Sequence, residues 1–277
     1  MNTYEEIARK PLFIIGGVNV LETQDLALEV ASAFSEICRR WDRHYIFKGS
    51  FDKANRTSLS SYRGPGVEQG LDWLSAVKQN CDVSVITDIH DVSQVEVVAG
   101  VVDAIQIPAF LARQTDLILE AARSGLPLHV KKPQFMSPTQ TKFIVEKISS
   151  ISETAPWICE RGSCLGYDNL VVDMLGIDWM KNNLNCPIIF DANHSLQTRG
   201  ASEAASGGRA AQIRALARSA IAVGIDGLFL EVHPNPEQAL CDGPSTLRLD
   251  ELEDFLEEMF ALDHFVKSDL GRRRVHD

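Results

Sequence analysis

Side chains of the kinds that transfer protons and bind anions recur along the chain, each at the end of a short apolar run. One polar residue in such a place is usually a solvated loop residue. A polar residue after every one of eight runs instead predicts a shared site. These residues are Asn19, Lys48, Asp88, His90, Gln106, Lys131, Lys132, Glu160, Arg161, Asp191, Asn193, His194, Glu231 and His233.

Many of these side chains, and others in the following loops, are cationic, although the chain as a whole carries a net charge of −11. Clustered cations repel one another unless anions compensate them, and guanidinium groups match the paired oxygens of phosphate and carboxylate. The pattern predicts a site for two phosphorylated substrates, or for one that also has a carboxylate. The cations are Lys48, Lys53, Arg56, Arg63, Lys131, Lys132, Arg161 and Arg209.

The apolar runs are typical of short strands, and amphipathic segments lie between them. Eight strand-then-helix units in 277 residues predict an α/β fold with a single (β/α)8 TIM barrel, one domain over residues 1–277. In such a barrel the strand ends meet at one mouth. The predicted strands are Pro11–Val18, His44–Lys48, Val83–Asp88, Ala104–Ile107, Leu128–Lys131, Trp157–Glu160, Pro187–Asp191 and Gly227–Val232.

A doubly wound open sheet is the alternative fold, but the GGVNVLE stretch after the first strand lacks the G-x-G-x-x-G pattern of such folds. The segment Val92–Gly100 gives the weakest helix prediction. The other predicted helices are Asp25–Arg40, Val67–Gln79, Leu111–Ser124, Pro138–Ser149, Asn169–Asn182, Gly208–Val223 and Asp250–Leu262.

Composition and charge exclude several classes of function. The net negative charge disfavours a nucleic-acid partner, and the absence of 18 consecutive uncharged apolar residues disfavours a membrane span. Two glutamates precede the first apolar stretch, which argues against a signal peptide and for a cytoplasmic protein. The six cysteines are scattered and are expected to be reduced and mostly buried; a zinc site at Cys159 and Cys164 is poorly supported by their spacing.

Two loops are candidates for substrate contact. Residues 49–63 form a long polar loop with an Asn-Arg-Thr-Ser stretch, and loops of about this length are often functional. Residues 204–209, Ala-Ala-Ser-Gly-Gly-Arg, open a predicted helix. Their backbone amides are suited to binding an anion at the helix N-terminus. The same stretch is equally suited to be a mobile lid with a glycine hinge, and the sequence leaves both interpretations open.

The chain resembles the 3-deoxy-D-manno-octulosonate 8-phosphate synthase family over nearly its whole length. The resemblance lies in GGVNVLE, FKGSFDKANRTS, SYRGPG, ITDIH, IQIPAFLARQTDL, VKKPQF, RGSCLGYDNLVVDM, AASGGR and LFLEVHPNPEQALCDGPS. Members are (β/α)8 barrels, usually tetramers, that join phosphoenolpyruvate to arabinose 5-phosphate for lipopolysaccharide. The resemblance therefore implies these two substrates, a homotetramer and no cofactor. The KANR sequence at 53–56 favours this sugar over erythrose 4-phosphate, whose enzymes typically carry K-P-R-T there.

The resemblance also implies roles for particular residues. Phosphoenolpyruvate is expected to bind Lys48, Lys53, Lys131, Arg161 and Gln106. The sugar phosphate is expected to bind residues of the same chain and an arginine supplied by a neighbouring subunit. The residues of the same chain are Asn55, Arg56, Thr57 and Gln197, and the arginine of the neighbouring subunit is Arg113.

The metal-binding relatives of this family use a cysteine, a histidine, a glutamate and an aspartate. The matching positions here are Asn19, His194, Glu231 and Asp242, so an amide replaces the thiolate. Because an amide is a poor ligand for zinc or ferrous iron, the resemblance implies a metal-independent enzyme with a vestigial site. A weakened three-ligand site that still takes metal is the alternative.

The reaction needs a donor for the sugar's carbonyl oxygen as it becomes an alkoxide. The candidates for catalysis are Asn19, Lys53, His194 and Asp242, and the sequence does not divide acid from base among them. A Schiff-base aldolase using Lys131 or Lys53 is a further alternative.

The chain departs from the family at 191–194, Asp-Ala-Asn-His, at Arg199–Glu203, and at Arg209-Ala210, where an arginine pair is reduced to one. These departures motivate the reading of a paralogous synthase that uses a different aldose phosphate, or of a slow enzyme. A non-catalytic barrel that only binds is a further alternative, and the intact set of cations argues against it.

Overall fold

The computed structural model describes residues 10–56, 58–167, 169–198 and 207–268. Eight parallel strands follow one another around a closed barrel, because β1 pairs with both β2 and β8. This confirms the predicted (β/α)8 barrel. The strands are β1 (Phe13–Val20), β2 (Tyr45–Ser50), β3 (Ser84–Asp88), β4 (Ala104–Ile107), β5 (Leu128–Lys131), β6 (Trp157–Glu160), β7 (Ile188–Asp191) and β8 (Gly227–His233).

A helix follows each strand and covers the outside of the barrel. The first begins at a clear signal, since the Thr23 hydroxyl accepts a hydrogen bond from the backbone amide of Leu26 at 3.1 Å. The helices are α1 (Gln24–Arg40), α2 (Val67–Cys81), α3 (Val95–Ala99), α4 (Thr115–Arg123), α5 (Lys142–Ser149), α6 (Met174–Asn183), α7 (Ile213–Val223) and α8 (Leu252–Lys267). None of the described helices is long and apolar enough to cross a lipid bilayer.

Apolar packing forms two layers. The larger lies between strands and helices and includes Phe34, Phe47, Phe190, Phe255 and Phe260. The smaller fills the barrel below the mouth, with side chains of Ile15, Ile46, Ile86, Ala104, Cys159, Ile189 and Phe229. All six cysteines are free thiols, and five of them are buried.

Several helices begin later than predicted, and for α6 and α7 the cause is a short strand pair that occupies the predicted first turn. Ser163–Cys164 pairs with Leu170–Val171, so α6 begins at Met174 rather than at Asn169. Gly207–Gly208 pairs with Gln197–Thr198, and a 3-10 turn follows before α7 begins. The predicted helix over 92–100 is short, as its weak pattern indicated.

Candidate active site

The end of β2 carries a buried cluster of two lysines, a serine and an aspartate. Lys48 donates to the Ser50 hydroxyl at 2.6 Å, and Lys53 donates to the same oxygen at 3.0 Å. Ser50 in turn donates to Asp88 at the end of β3, whose carboxylate lies 3.6 Å from the Lys48 Nζ. One carboxylate therefore faces two ammonium groups, and the cluster has capacity for a further anion.

This cluster shifts the protonation of its members. Burial, and next the charge of Lys53, lower the pKa of Lys48 to about 8. Burial would raise the pKa of Asp88, but Lys48 and a hydrogen bond from His90 hold it well below its usual range. Burial would lower the pKa of Lys53, but nearby carboxylates, Asp88 first, raise it. Lys48 is thus the cation of this cluster that loses its proton nearest to neutral pH.

The ends of β5 and β7 bring a lysine, an aspartate and a histidine together. The Oδ2 atom of Asp191 lies 2.6 Å from the Nζ of Lys131 and 2.7 Å from the Nδ1 of His194. The Lys131 ammonium also lies 3.0 Å from the centre of the Phe229 ring, a favourable cation–π contact. Burial would raise the pKa of Asp191, but His194 and Lys131 hold it well below its usual range. Asp191 therefore orients both partners as a carboxylate.

The other ring nitrogen of His194 faces two carboxylates. Its Nε2 lies 3.6 Å from Glu231 and 3.7 Å from Asp242. The Asn19 side-chain amide donates to the same Asp242 oxygen at 2.8 Å. Burial would raise the pKa of Asp242, but His194 and Lys53 lower it. The four residues predicted for catalysis therefore lie in one group: Asn19 and His194 both face Asp242, and Lys53 lies close enough to lower its pKa.

Three side chains of this group are of types that bind divalent ions. The ligand atoms of His194, Glu231 and Asp242 lie within 4.8 Å of one another. Both oxygens of Glu231 and the Oδ1 of Asn19 are buried without a hydrogen-bond partner. Asn19, however, directs its N–H rather than its oxygen at Asp242, so it contributes a donor and no negative charge. The set provides three ligands and lacks the fourth that a closed zinc site has.

Arg161, at the end of β6, is the buried guanidinium of the mouth. It donates to the Gln197 side chain at 2.7 Å and to the His194 carbonyl at 3.3 Å. The predicted binding residues Arg161 and Gln197 are thus direct neighbours, and both adjoin the His194 segment.

Arg56 lies on the other side of the mouth, beside the segment that carries Asp242. It donates to the Cys241 sulfur at 2.6 Å and to the Leu240 carbonyl at 3.2 Å. Asn55, next to it, is exposed. Thr57, also predicted to bind the sugar phosphate, lies outside the described residues, as do the altered positions 199–203.

Some predicted residues lie elsewhere. Lys132 and Arg63 do not join the cations of the mouth: Lys132 is fully buried behind it, and Arg63 forms a surface ion pair with Asp52. Arg113 is exposed in the loop before α4, outside the cluster. Gln106, by contrast, lies where predicted: it is buried at the mouth end of β4, and its Oε1 lies 3.1 Å from the His129 Nδ1.

Sequence reasoning missed two residues of the site. Ser50 bridges Lys48, Lys53 and Asp88, and Cys241 contacts Arg56. Ser50 had a usable signal, since residues two apart in a strand share a face and Lys48 was already assigned to the mouth. Cys241 had none, because its partner is 185 positions away in the chain.

Comparisons with known proteins cover nearly the whole chain. A model of the DAHP synthetase I family matches residues 8–268. A 2-dehydro-3-deoxyphosphooctonate aldolase of Histophilus somni (strain 129Pt) is 54% identical over 260 residues, covering 94% of this chain and 92% of that protein. Proteins of the same name from Aliivibrio fischeri (strain MJ11) and Pseudomonas putida (strain W619) are 54% and 53% identical over 259 residues, covering 93% of this chain and 91% and 92% of those proteins.

Proposed function

Because the chain belongs to the DAHP synthetase I family, and within it to the 2-dehydro-3-deoxyphosphooctonate aldolases, we propose that it makes 3-deoxy-D-manno-octulosonate 8-phosphate. The substrates are phosphoenolpyruvate, D-arabinose 5-phosphate and water, and the second product is phosphate. This membership confirms the resemblance in the sequence and makes the chain an enzyme. The proposed product belongs to lipopolysaccharide and carbohydrate biosynthesis, and we place the reaction in the cytoplasm.

The observation that carries the proposal is the arrangement of cations around one mouth. Lys48 and Lys53 lie at the end of β2, Lys131 and Arg161 lie at the ends of β5 and β6, and Arg56 lies beside the Asp242 segment. Two phosphates and a carboxylate need such a set of separated cations. In the proposal Lys48, Lys53, Lys131, Arg161 and Gln106 bind phosphoenolpyruvate.

We assign the sugar phosphate to Asn55, Arg56, Thr57 and Gln197, with Arg113 of a neighbouring subunit in a homotetramer. Arg56 has both guanidinium arms on atoms of residues 240 and 241, so a bound phosphate would compete for the same donors.

In the proposed reaction, C3 of phosphoenolpyruvate forms a bond to the aldehyde carbon of the sugar. The aldehyde oxygen becomes a hydroxyl by taking a proton, and positive charge develops at C2. Water adds its oxygen to C2 and loses a proton, which leaves a C2 hydroxyl. The C2–O bond to phosphate then breaks as this hydroxyl loses its proton and becomes the C2 carbonyl, and phosphate leaves with the bonding electron pair and takes up a proton. The fixed lysine and arginine charges stabilise the phosphate and carboxylate throughout, as preorganised electrostatic groups do.

His194 and Asp242 are the groups best placed to move these protons. Asp191 holds the Nδ1 of His194, so Nε2 points toward Glu231 and Asp242. A water or substrate oxygen between Nε2 and Asp242 would lie within hydrogen-bond reach of an acid and a base. Asn19 fixes Asp242 in this position, and Lys53 lies close enough to lower its pKa.

We further propose that the reaction needs no metal. The support is the residue type at position 19, because a neutral amide is a far poorer ligand for zinc or ferrous iron than the thiolate of the metal-binding relatives. His194, Glu231 and Asp242 would hold any ion that does bind, and it would polarise the sugar carbonyl.

One experiment tests both the proposed reaction and its independence of metal. Purified protein is incubated with phosphoenolpyruvate and arabinose 5-phosphate, with and without EDTA, and phosphate release and 3-deoxy-ulosonate formation are followed. We expect equal rates in both arms. Loss of activity in EDTA, restored by added metal, would refute metal independence while supporting the reaction. Absence of product in every arm would refute the reaction.

A different sugar acceptor is the second candidate, and the departures at 199–203 and Arg209-Ala210 favour it. It is tested by the ratio of kcat/KM values for arabinose 5-phosphate and other aldose phosphates. A Schiff-base mechanism is disfavoured, because the nitrogen of Lys131 forms a 2.6 Å ion pair with Asp191 and that of Lys53 donates to Ser50 at 3.0 Å. Inactivation by borohydride in the presence of substrate would revive it.

A further inference from the structure

Directly behind the proposed phosphoenolpyruvate cations lies a buried ion pair that the mechanism does not use. Lys132 and Glu160 are 0% and 1% exposed, and their charged atoms are 3.6 Å apart. Each is the chain neighbour of a proposed binding residue: Lys132 follows Lys131, and Glu160 precedes Arg161. Consecutive side chains of an extended segment point to opposite faces, so this pair lies behind the face that carries the binding residues.

Lys132 joins the loop that follows β5 to the loop that follows β6. Its ammonium donates to the carbonyls of Pro133 and Met136 at 3.3 and 3.1 Å, and to the Ser163 hydroxyl at 3.1 Å. Between the same loops, the Cys164 amide donates to the Gln134 carbonyl at 2.9 Å. These bonds fix the loop that leaves Lys131 against the loop that leaves Arg161.

Glu160 holds the turn next to Arg161. Its Oε1 accepts from the Gly162 amide at 2.6 Å and is the oxygen that faces Lys132. Gly162 has a φ of +86°, a conformation that side chains with a Cβ rarely adopt. The carboxylate therefore fixes the backbone on both sides of Arg161.

Stability does not explain this pair. Removing two charges from water is unfavourable, and well-packed apolar residues are often as stable as a buried ion pair. Burial is the first cause acting on both groups: it lowers the pKa of Lys132 and raises that of Glu160. What the pair does contribute is a fixed position of the loop after Lys131 relative to the turn after Arg161.

We infer that Lys132 and Glu160 are positioning residues for phosphoenolpyruvate, which set the distance and angle between Lys131 and Arg161. The inference rests on the proposed function. It applies to phosphoenolpyruvate more than to the sugar phosphate. The described hydrogen bonds of the pair lie within the loops after β5 and β6, whereas Arg56 comes from the loop after β2 and donates to residues 240 and 241. Gln197, which accepts from Arg161, links the pair to the sugar-phosphate residues, so a smaller effect on the sugar-phosphate KM is expected.

The test measures phosphoenolpyruvate binding by titration calorimetry and KM for each substrate in Lys132→Met and Lys142→Met. The control lysine begins α5 and lies over the Phe143 ring. We expect Lys132→Met to weaken phosphoenolpyruvate binding by about tenfold or more, since small displacements of binding groups have effects of this size. The KM for the sugar phosphate should change by less than about threefold, and the control should match wild type.

Two milder variants keep the test decisive if Lys132→Met does not fold. Glu160→Gln retains an oxygen for Gly162 but removes the charge, and Ser163→Ala removes one bond of Lys132. We expect each to weaken phosphoenolpyruvate binding severalfold more than it changes sugar-phosphate KM. Folded variants that bind phosphoenolpyruvate like wild type would overturn the inference, as would equal losses for both substrates. If wild type itself does not bind phosphoenolpyruvate, the proposed function fails instead.

Discussion

At the scale of single residues, Lys48 is the lysine of the cluster at the end of β2 whose charge changes nearest to neutral pH, because burial and Lys53 lower its pKa to about 8. A lowered pKa means that the ammonium form is complete below this value and is lost as the pH rises through it. Phosphoenolpyruvate affinity should therefore fall above about pH 8, by up to about tenfold per pH unit for one proton. Calorimetric titrations from pH 7 to 9.5 measure this directly.

Lys48→Arg is the matched variant for this prediction. A guanidinium stays protonated over the whole range, so its phosphoenolpyruvate affinity should be nearly constant with pH. Lys142→Arg, outside the site, should follow wild type. An equal fall of affinity in Lys48→Arg and wild type would assign the pH dependence to another group.

Asn19 is the residue on which metal independence depends. In Asn19→Cys a thiolate would join His194, Glu231 and Asp242, whose ligand atoms already lie within 4.8 Å of one another. Four such ligands suit zinc or ferrous iron. We expect the variant to retain about one divalent ion per chain after dialysis, and its activity to become sensitive to EDTA. Metal content gives a readout that does not depend on activity.

Asn19→Ala is the control, because it removes the amide without adding a ligand. It should retain no more metal than wild type. If Asn19→Cys also retains none, these four residues do not form the metal site of the metal-dependent relatives.

At the scale of elements, β1 and β2 approach each other closely at Gly17, just before Asn19. A Cβ at position 17 would overlap the backbone carbonyl of Lys48. Gly17→Ala should therefore push the two strands apart and displace both Asn19 and Lys48. Overpacking of this kind destabilises by about 2 kcal/mol. Urea unfolding measures the loss of free energy, and we expect a fall in activity with it.

Gly100→Ala is the matched control, because the nearest atom to a new Cβ there is 3.5 Å away. Its free energy of unfolding should lie within about 0.5 kcal/mol of wild type. A Gly17→Ala protein as stable as this control would show that β1 and β2 can separate without loss.

The strand order and most strand ends could be predicted from the sequence, because apolar runs change to polar residues where the strands reach the mouth. The predicted bounds of β4, β5 and β6 match the structure. The starts of α6 and α7 could not be predicted, because two-residue strands there pair with segments whose proximity only the folded chain creates.

Part of the site could be predicted from residue types and the resemblance, but its pairings could not. Asn19, His194, Glu231 and Asp242 lie together as the resemblance implied. The prediction that Lys132 lies at the mouth was wrong, because residue type does not show which way a side chain points. Side chains alternate along an extended segment, and this places Lys132 behind Lys131. The role of Ser50 depends on its distance to three side chains, and composition carries no information on that.

At the scale of the whole molecule, cations cluster at the mouth of the barrel, although the chain as a whole has a net charge of −11. Buried carboxylates compensate them in the described structure: Asp88 faces Lys48, and Asp191 faces Lys131. Anionic substrates would therefore enter a mouth that is already partly neutralised, and their binding depends on donors that can add or exchange partners. Arg56, whose hydrogen bonds within the described part of the chain go to the Cys241 sulfur and the Leu240 carbonyl, is such a donor.

Arg113 connects the site to the assembly of subunits. It is exposed, and so are the apolar side chains Phe110 and Phe135 at 53% and 63% in loops after β4 and β5. Exposed apolar groups of this kind often mark contacts between subunits. We predict a homotetramer in which Arg113 completes a neighbouring site, so Arg113→Ala should raise the KM for the sugar phosphate about tenfold or more, the loss of a charged contact. Sedimentation velocity gives the assembly state.

Mixing two variants that each bind the sugar phosphate weakly, and assaying them at a sugar-phosphate concentration well below their KM, tests whether the arginine acts across subunits. An Arg113→Ala subunit keeps Arg56, and an Arg56→Ala subunit can supply Arg113 to it. After random one-to-one reassembly, about one quarter of the sites would have both arginines, so activity should rise toward that fraction of wild type. Arg113→Ala mixed with the double variant Arg56→Ala/Arg113→Ala is the control and should show no rise. If the first mixture also shows none although the subunits exchange, Arg113 acts within its own chain or not at all.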